Sequence, residues 1–246
     1  MTTMTERPSA ATLRPVDTRT LARWTAAILM PIGPAAVAVL RFVLPYDTND
    51  SALVMIAKVQ ADVASQQAVI VLGLIALFTL VPGAYAVTRL TRPGAPRLTA
   101  VAAPLLIAGY LGLGWSATVD LLPLVAPAAG VERDVLAPLM VAVMDSPAGL
   151  IPLTIFVVGH IVGTVLLGFA LWRSRSVHGA WAVLMGISQP LHLVAAMTGN
   201  HPLDLLGWGL TAVVMGVAGV RVLRTADDDW DVPPRLGAPL GVGGER

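Results

Sequence analysis

The run ISQPLHLVAAMTGNHPLD, residues 187–204, holds much of the chain's capacity for chemistry: Ser188, Gln189 and His192, then Asn200, His201 and Asp204. His160, Asp120 and Arg41 stand alone inside other apolar runs. Imidazole and carboxylate groups placed in this way can relay protons, hold a metal or haem iron, or orient a ligand by hydrogen bonds. Cysteine is absent, which removes disulfides, thiolate metal sites and cysteine nucleophiles together.

These residues interrupt sequence that is otherwise lipid-like. The 246 residues are 56% hydrophobic and 13% charged, about half the usual charged fraction of roughly 25%. The apolar residues fall into six blocks at 24–45, 67–88, 98–122, 149–172, 180–199 and 204–223. Each is close to the roughly 20 residues that cross about 30 Å of hydrocarbon as a helix. The expected fold is therefore an all-α, six-span membrane bundle over residues 24–223. A polar tail at 1–23 precedes it and a disordered acidic, Gly/Pro-containing tail at 224–246 follows it.

Charge sets the expected threading. Eleven arginines flank alternate loops: Arg7, Arg14, Arg19, Arg23, Arg89, Arg92, Arg97, Arg173, Arg175, Arg221 and Arg224. The other three loops carry Lys58 and Arg133. The positive-inside rule then puts both termini in the cytoplasm. The first apolar block is too long for a signal-peptide core and reads as a retained helix. One lysine against fifteen arginines, with abundant Ala, Gly and Pro, points to a bacterial inner membrane.

The outward loops carry amphipathic segments. In 49–67, Asp50 or Ser51 can cap a surface helix that runs into the second span, with Leu53, Val54, Ala57 and Ala61 at helical spacing. In 132–149, Val135, Leu136, Leu139, Met140 and Val143 share a side, interrupted by Pro138. ADDDWD, 226–231, reads as a solvated acidic tail, with a docking motif as the alternative. Gly159 and Gly163 can pack a neighbouring helix or form a homo-oligomer face. LGLGWSATV (111–119) and LLGWGLTAV (205–213) are a faint sign of a three-plus-three repeat.

Ionisable groups inside a span cost about 2.5 to 3.5 kcal/mol even on lenient scales, so each one is a site hypothesis. His160 falls roughly 16 Å from the outer boundary and His192 roughly 10 Å, with Asp120 and Arg41 nearer that boundary. Asp120, His160, Gln189 and His192 are therefore assigned to an outward-biased substrate or proton pocket, with Arg41, Asn200, His201 and Asp204 at its outer mouth. Pro190 frees the carbonyl of Gly186, which Ser188 and Gln189 could satisfy. Each residue also has a plainer reading. Arg41 can snorkel or pair with Asp120, the histidines can be neutral packing groups, and Asn200, His201 and Asp204 can be turn and cap residues.

The function expected with fewest assumptions is a non-catalytic accessory or sensor component of the membrane, more readily a non-enzyme than an enzyme. A proton-coupled or small-solute transporter is the main alternative. A b-type haem ligated by His160 and His192 is a further one, and a metal held by Asp120, His160 and His192 another. No H-E-x-x-H or G-x-S-x-G signature supports hydrolysis, no P-loop or dinucleotide fingerprint supports nucleotide chemistry, and no nucleic-acid partner is expected. The lipid bilayer is the expected partner.

Overall fold

The computed structural model describes residues 16–231. Arg7, Arg14 and the outer parts of both expected tails, 1–15 and 232–246, lie outside the described residues. All regular structure among the described residues is helical.

Six helices are long and apolar enough to cross a membrane: α1 (Arg19–Val43), α3 (Val63–Thr91), α4 (Pro96–Val125), α6 (Pro147–Ser174), α7 (Gly179–Thr198) and α8 (His201–Leu223). The protein is a multi-pass membrane bundle. The helices run past the apolar blocks at most ends. At 1.5 Å per residue, the 28 to 30 residues of α3, α4 and α6 measure about 42 to 45 Å. They project from a hydrocarbon layer of about 30 Å.

Each spanning helix packs against the next in sequence, and α8 closes the ring against α1. Lipid tails are as apolar as leucine, so helix association in a membrane depends on close packing, and small residues supply it. A Cβ at Gly109 of α4 would come within 2.5 Å of His160 N, and one at Gly159 of α6 within 2.8 Å of Gly109 Cα. Gly163 meets Leu106, so the Gly159/Gly163 face is occupied by α4 of the same chain. Gly33 against Leu80 joins α1 to α3, Gly219 against Ala27 joins α8 to α1, and Gly207 against His192 joins α8 to α7. The ring order gives no support to the three-plus-three reading.

Two short helices cover the end of the bundle away from the termini. Helix α2 (Ala52–Ala61) starts at Ser51, whose side chain accepts from Val54 N, and stops at Asp62, whose side chain in turn caps α3 by accepting from Ser65 N. Asp62 thus separates the surface helix from the span it was expected to join. Helix α5 (Arg133–Asp145) keeps Pro138 within it. It buries Leu136, Ala137 and Met140 against Ile56 and Val119, while Val135 and Leu139 stay exposed. Its buried side is therefore narrower than the spacing implied.

At the opposite end, two expected boundaries move. Residues 19–23, counted with the N-terminal tail, belong to α1, which starts at Arg19. The acidic run is a docked element: α9 (Asp227–Trp230) folds back, and Arg23 Nε lies 3.1 Å from Asp227. Asp228 pairs with Arg19, and Arg89 reaches Asp231 at 2.7 Å while lying 4.9 Å from the Trp230 ring centroid. Residues 226–231 are therefore docked on the bundle through Trp230, with Asp228 and Asp229 still facing solvent. Trp230 is buried, and the arginines that bias the threading also hold this segment.

Gly109→Val drives a side chain into the backbone of α6 and is expected to cost several kcal/mol, abolishing a monodisperse peak in size-exclusion chromatography. At Gly186, where an added Cβ meets nothing within 4 Å, substitution by Ala is expected to hold or raise the melting temperature.

Candidate functional site

The site is built where α1, α7 and α8 meet. Asp204 lies in the first turn of α8 and is only 1% exposed. Its Oδ1 accepts from His192 Nδ1 of α7 at 2.5 Å, and its Oδ2 accepts from Arg41 Nε of α1 at 2.6 Å. Arg41 also donates to Thr48 Oγ1 at 2.9 Å. One carboxylate thus ties three helices together. Arg41, for which the sequence leaves both snorkelling and pairing with Asp120 open, pairs instead with Asp204, which is nearer the centre of the network than the outer mouth assigned to it.

Local sequence explains the placement. Gly199 ends α7 in the left-handed region at φ 64°, which glycine adopts without strain. Asn200 then caps α8, its Oδ1 accepting from Leu203 N at 2.9 Å. That tight connection sets the two helices antiparallel, and the bare face of Gly207 lets α8 approach the backbone of His192. His201 stays outside, 3.2 Å from Asp47. Asn200 and His201 therefore do the cap and turn work, while Asp204 faces inward.

His160 comes from α6 and is 1% exposed. Its Nδ1 donates to the carbonyl of Phe156 one turn earlier, so Nε2 is the acceptor nitrogen, and Nε2 is buried without a partner. Its ring centroid lies 5.6 Å from that of His192, and Trp208 of α8 lies 5.7 Å from His160 and 5.5 Å from His192. The two histidines are thus brought together, with Trp208 between their flanks.

That triangle bears on the haem reading. Its sides are nearly equal, so Trp208 lies in the plane that bisects the two imidazoles, about 5 Å from their midpoint. A porphyrin ligated by both histidines would occupy that plane and collide with the indole. With Trp208 in this position the space beside the two rings is not open to a planar group. Nor does any set of three His, Asp or Glu side chains among the described residues stand close enough to share a metal ion. Asp120 is engaged elsewhere: its Oδ1 accepts from Tyr46 at 2.5 Å, and its backbone carbonyl accepts from Gln66 Nε2 at 2.8 Å.

A cavity of about 510 Å³ connects these groups. His160, His192 and Trp208 form its deep end; Arg41, Tyr46 and Asp120 stand along it, and Met140 and Met144 of α5 roof it. Gln189 is not part of it. It turns to α8, donating to Thr211 Oγ1 at 2.8 Å, and Thr211 donates to Ser188 at 2.8 Å. Ser188 donates to the Met185 carbonyl rather than that of Gly186. The α7–α8 seam therefore carries two polar layers, a packing layer in which Gln189 Oε1 alone is left buried without a partner, and one that opens into the cavity.

The loop at the cavity mouth is held by charge. Lys58 reaches Asp47 at 2.9 Å and Asp50 at 2.8 Å, and these bonds hold both carboxyls below the usual carboxylate range. Burial, followed by the Asp120 carboxylate, pushes the Tyr46 phenol well above its usual value. Tyr46, Thr48, Thr211 and Trp208 were not singled out by sequence reasoning, because their partners lie on other helices.

The chain matches no family model, no curated protein and no solved structure in the three comparisons made.

Three outcomes are expected. Asp204→Asn leaves Arg41 without its counter-charge and is expected to cost about 3 to 5 kcal/mol, read as a fall in melting temperature in detergent larger than that of His192→Gln. A dithionite-reduced minus oxidised spectrum of the purified protein is expected to be flat, and a sharp reduced band lost in His160→Ala would refute the Trp208 geometry. Because the folded pKa values of Asp47 and Asp50 lie below their unfolded values, their support for the mouth is complete above about pH 4 and lost as pH falls through the folded values. Amide exchange at 51–55 is expected to rise there, and high salt is expected to reproduce part of the effect.

Proposed function

We propose that this chain is an accessory or sensor component of a bacterial inner membrane that binds a small, mostly apolar molecule in the cavity lined by α1, α3, α4, α6 and α7, with Trp208 of α8. The cavity volume is in the range of small-molecule sites, roughly 300 to 1,000 Å³, and its wall is largely apolar with a few convergent polar groups. The observation that carries this reading is His160 Nε2, a buried acceptor with no partner on a residue that lines the cavity. A buried acceptor left unsatisfied costs about 1 to 3 kcal/mol, which a ligand hydroxyl or N–H would recover. His192, fixed through Asp204, supplies the second polar contact.

The arginine-flanked loops support cytoplasmic termini, and the cavity, lying at the other end, would open outward. No catalytic step is assigned to the site.

A proton-coupled carrier is the second reading, favoured by one feature. An imidazole–carboxylate pair, His192 with Asp204, is buried in the spanning region and its imidazole borders the cavity, the residue types that proton relays in membranes use.

Size-matched apolar compounds with and without a hydroxyl donor, titrated in thermal unfolding, test the binding reading. A ligand at 100 times its Kd raises stability by about 2.7 kcal/mol. The donor-bearing compounds are expected to stabilise the protein, and Ala117→Phe, which fills the cavity without removing a polar group, is expected to abolish the shift. Equal shifts in the variant, or none from any compound, would overturn the reading. Ligand-driven proton uptake in proteoliposomes, lost in His192→Leu, would move the assignment to the carrier.

A further inference from the structure

A second cavity, of about 1380 Å³, lies at the arginine-rich end, between the α3–α4 turn, the α6–α7 turn and α9. Four arginines and two aspartates line it. Asp231 binds Arg89, but Arg92, Arg175 and Arg221 have no carboxylate within ion-pair distance among the described residues. All three are exposed. The rim is therefore a surplus of guanidinium groups, each suited to bidentate contact with phosphate oxygens.

The wall below that rim is apolar. Ala103, Pro104 and Ile107 of α4 line the cleft, and Ile107 is about 16 Å along the helix from its first residue, well inside the apolar span. A free anion needs the rim but has no use for this wall. A molecule with a phosphate at one end and acyl chains at the other uses both.

The cleft is also built rather than incidental. The α6–α7 turn is pinned to α3 by Ser176 Oγ, which donates to the Leu90 carbonyl at 3.3 Å, and Arg175 is held in the left-handed region at φ 55°. At Gly94 a Cβ would fall 2.6 Å from Ser174 Cα, so the two turns touch backbone to backbone. On the far side Trp230 is buried against Arg89, which fixes the acidic wall.

We infer that this cleft binds an anionic phospholipid, with its phosphate held by Arg92, Arg175 and Arg221 and its acyl chains lying along α4. Juxtamembrane arginine clusters attract anionic headgroups in general. The cleft adds a defined seat for one lipid, separate from the cavity at the other end and independent of what that cavity takes.

Native mass spectrometry of the full chain in neutral detergent tests this, with phosphatidylglycerol and phosphatidylcholine of matched acyl chains as probes. One phosphatidylglycerol is expected to bind with clear preference over phosphatidylcholine. Combined Arg92→Gln, Arg175→Gln and Arg221→Gln is expected to weaken it at least tenfold. The matched triple Arg97→Gln, Arg173→Gln and Arg224→Gln, whose residues lie at the same end but outside the cleft, is expected to change it less than twofold. Melting temperatures of both triples confirm that each is folded. Equal loss in the two triples would overturn the inference by reducing it to general surface charge. So would inorganic phosphate binding at these arginines without any preference for phosphatidylglycerol.

Discussion

Asp204 is the group on which the arrangement depends. A carboxylate in the first turn of a spanning helix is tolerated because it is paired on both oxygens, and its two partners come from two other helices. Removing hydrogen-bond partners inside a bilayer is costly, since no water replaces them. The ion pair and the dyad therefore serve packing and site at once: they set α1, α7 and α8 in register, and they orient His192 toward the cavity. The first turn of α8 is also the positive end of that helix's dipole, an environment that favours a negative charge at that position.

Much of the architecture was legible in the sequence because the membrane imposes a length and a composition on each element. The six spans, the two short helices of the covered end and the asymmetry of arginine can all be read from 1.5 Å per residue, helical spacing and charge. The choice of partners could not. Arg41 could be read as snorkelling or as the partner of Asp120, since both lie near one boundary, yet depth along a helix leaves rotation about its axis open. Asp204 looked like a cap residue because Asn200 and Pro202 make a turn beside it. The hydrogen bond that places it in the site spans 163 residues of sequence.

Gln189 is instructive for a similar reason. It lies three residues before His192 on a helix, close enough to suggest a shared face, and both are buried. The seam separates them by depth, one in a layer with Ser188 and Thr211, the other with Asp204. Glycine decides this as much as the polar groups do, since Gly207 brings α8 close enough for both layers to form. The acidic segment 226–231 was misread for the opposite reason. Composition alone made it resemble a solvated tail, whereas Trp230 gives it an apolar anchor and the arginine end gives it partners.

The closed ring has a consequence for biosynthesis. Since α1 meets its second neighbour only when α8 has been made, Arg41 enters the membrane long before Asp204 exists. At roughly 5 to 20 residues per second, the interval between them is on the order of ten to thirty seconds. During that time the guanidinium must be held by lipid headgroups, water or another protein. The nascent chain thus passes through a stage in which its first helix is the least settled part of the bundle, and synthesis of the last span is the event that locks the first one in place.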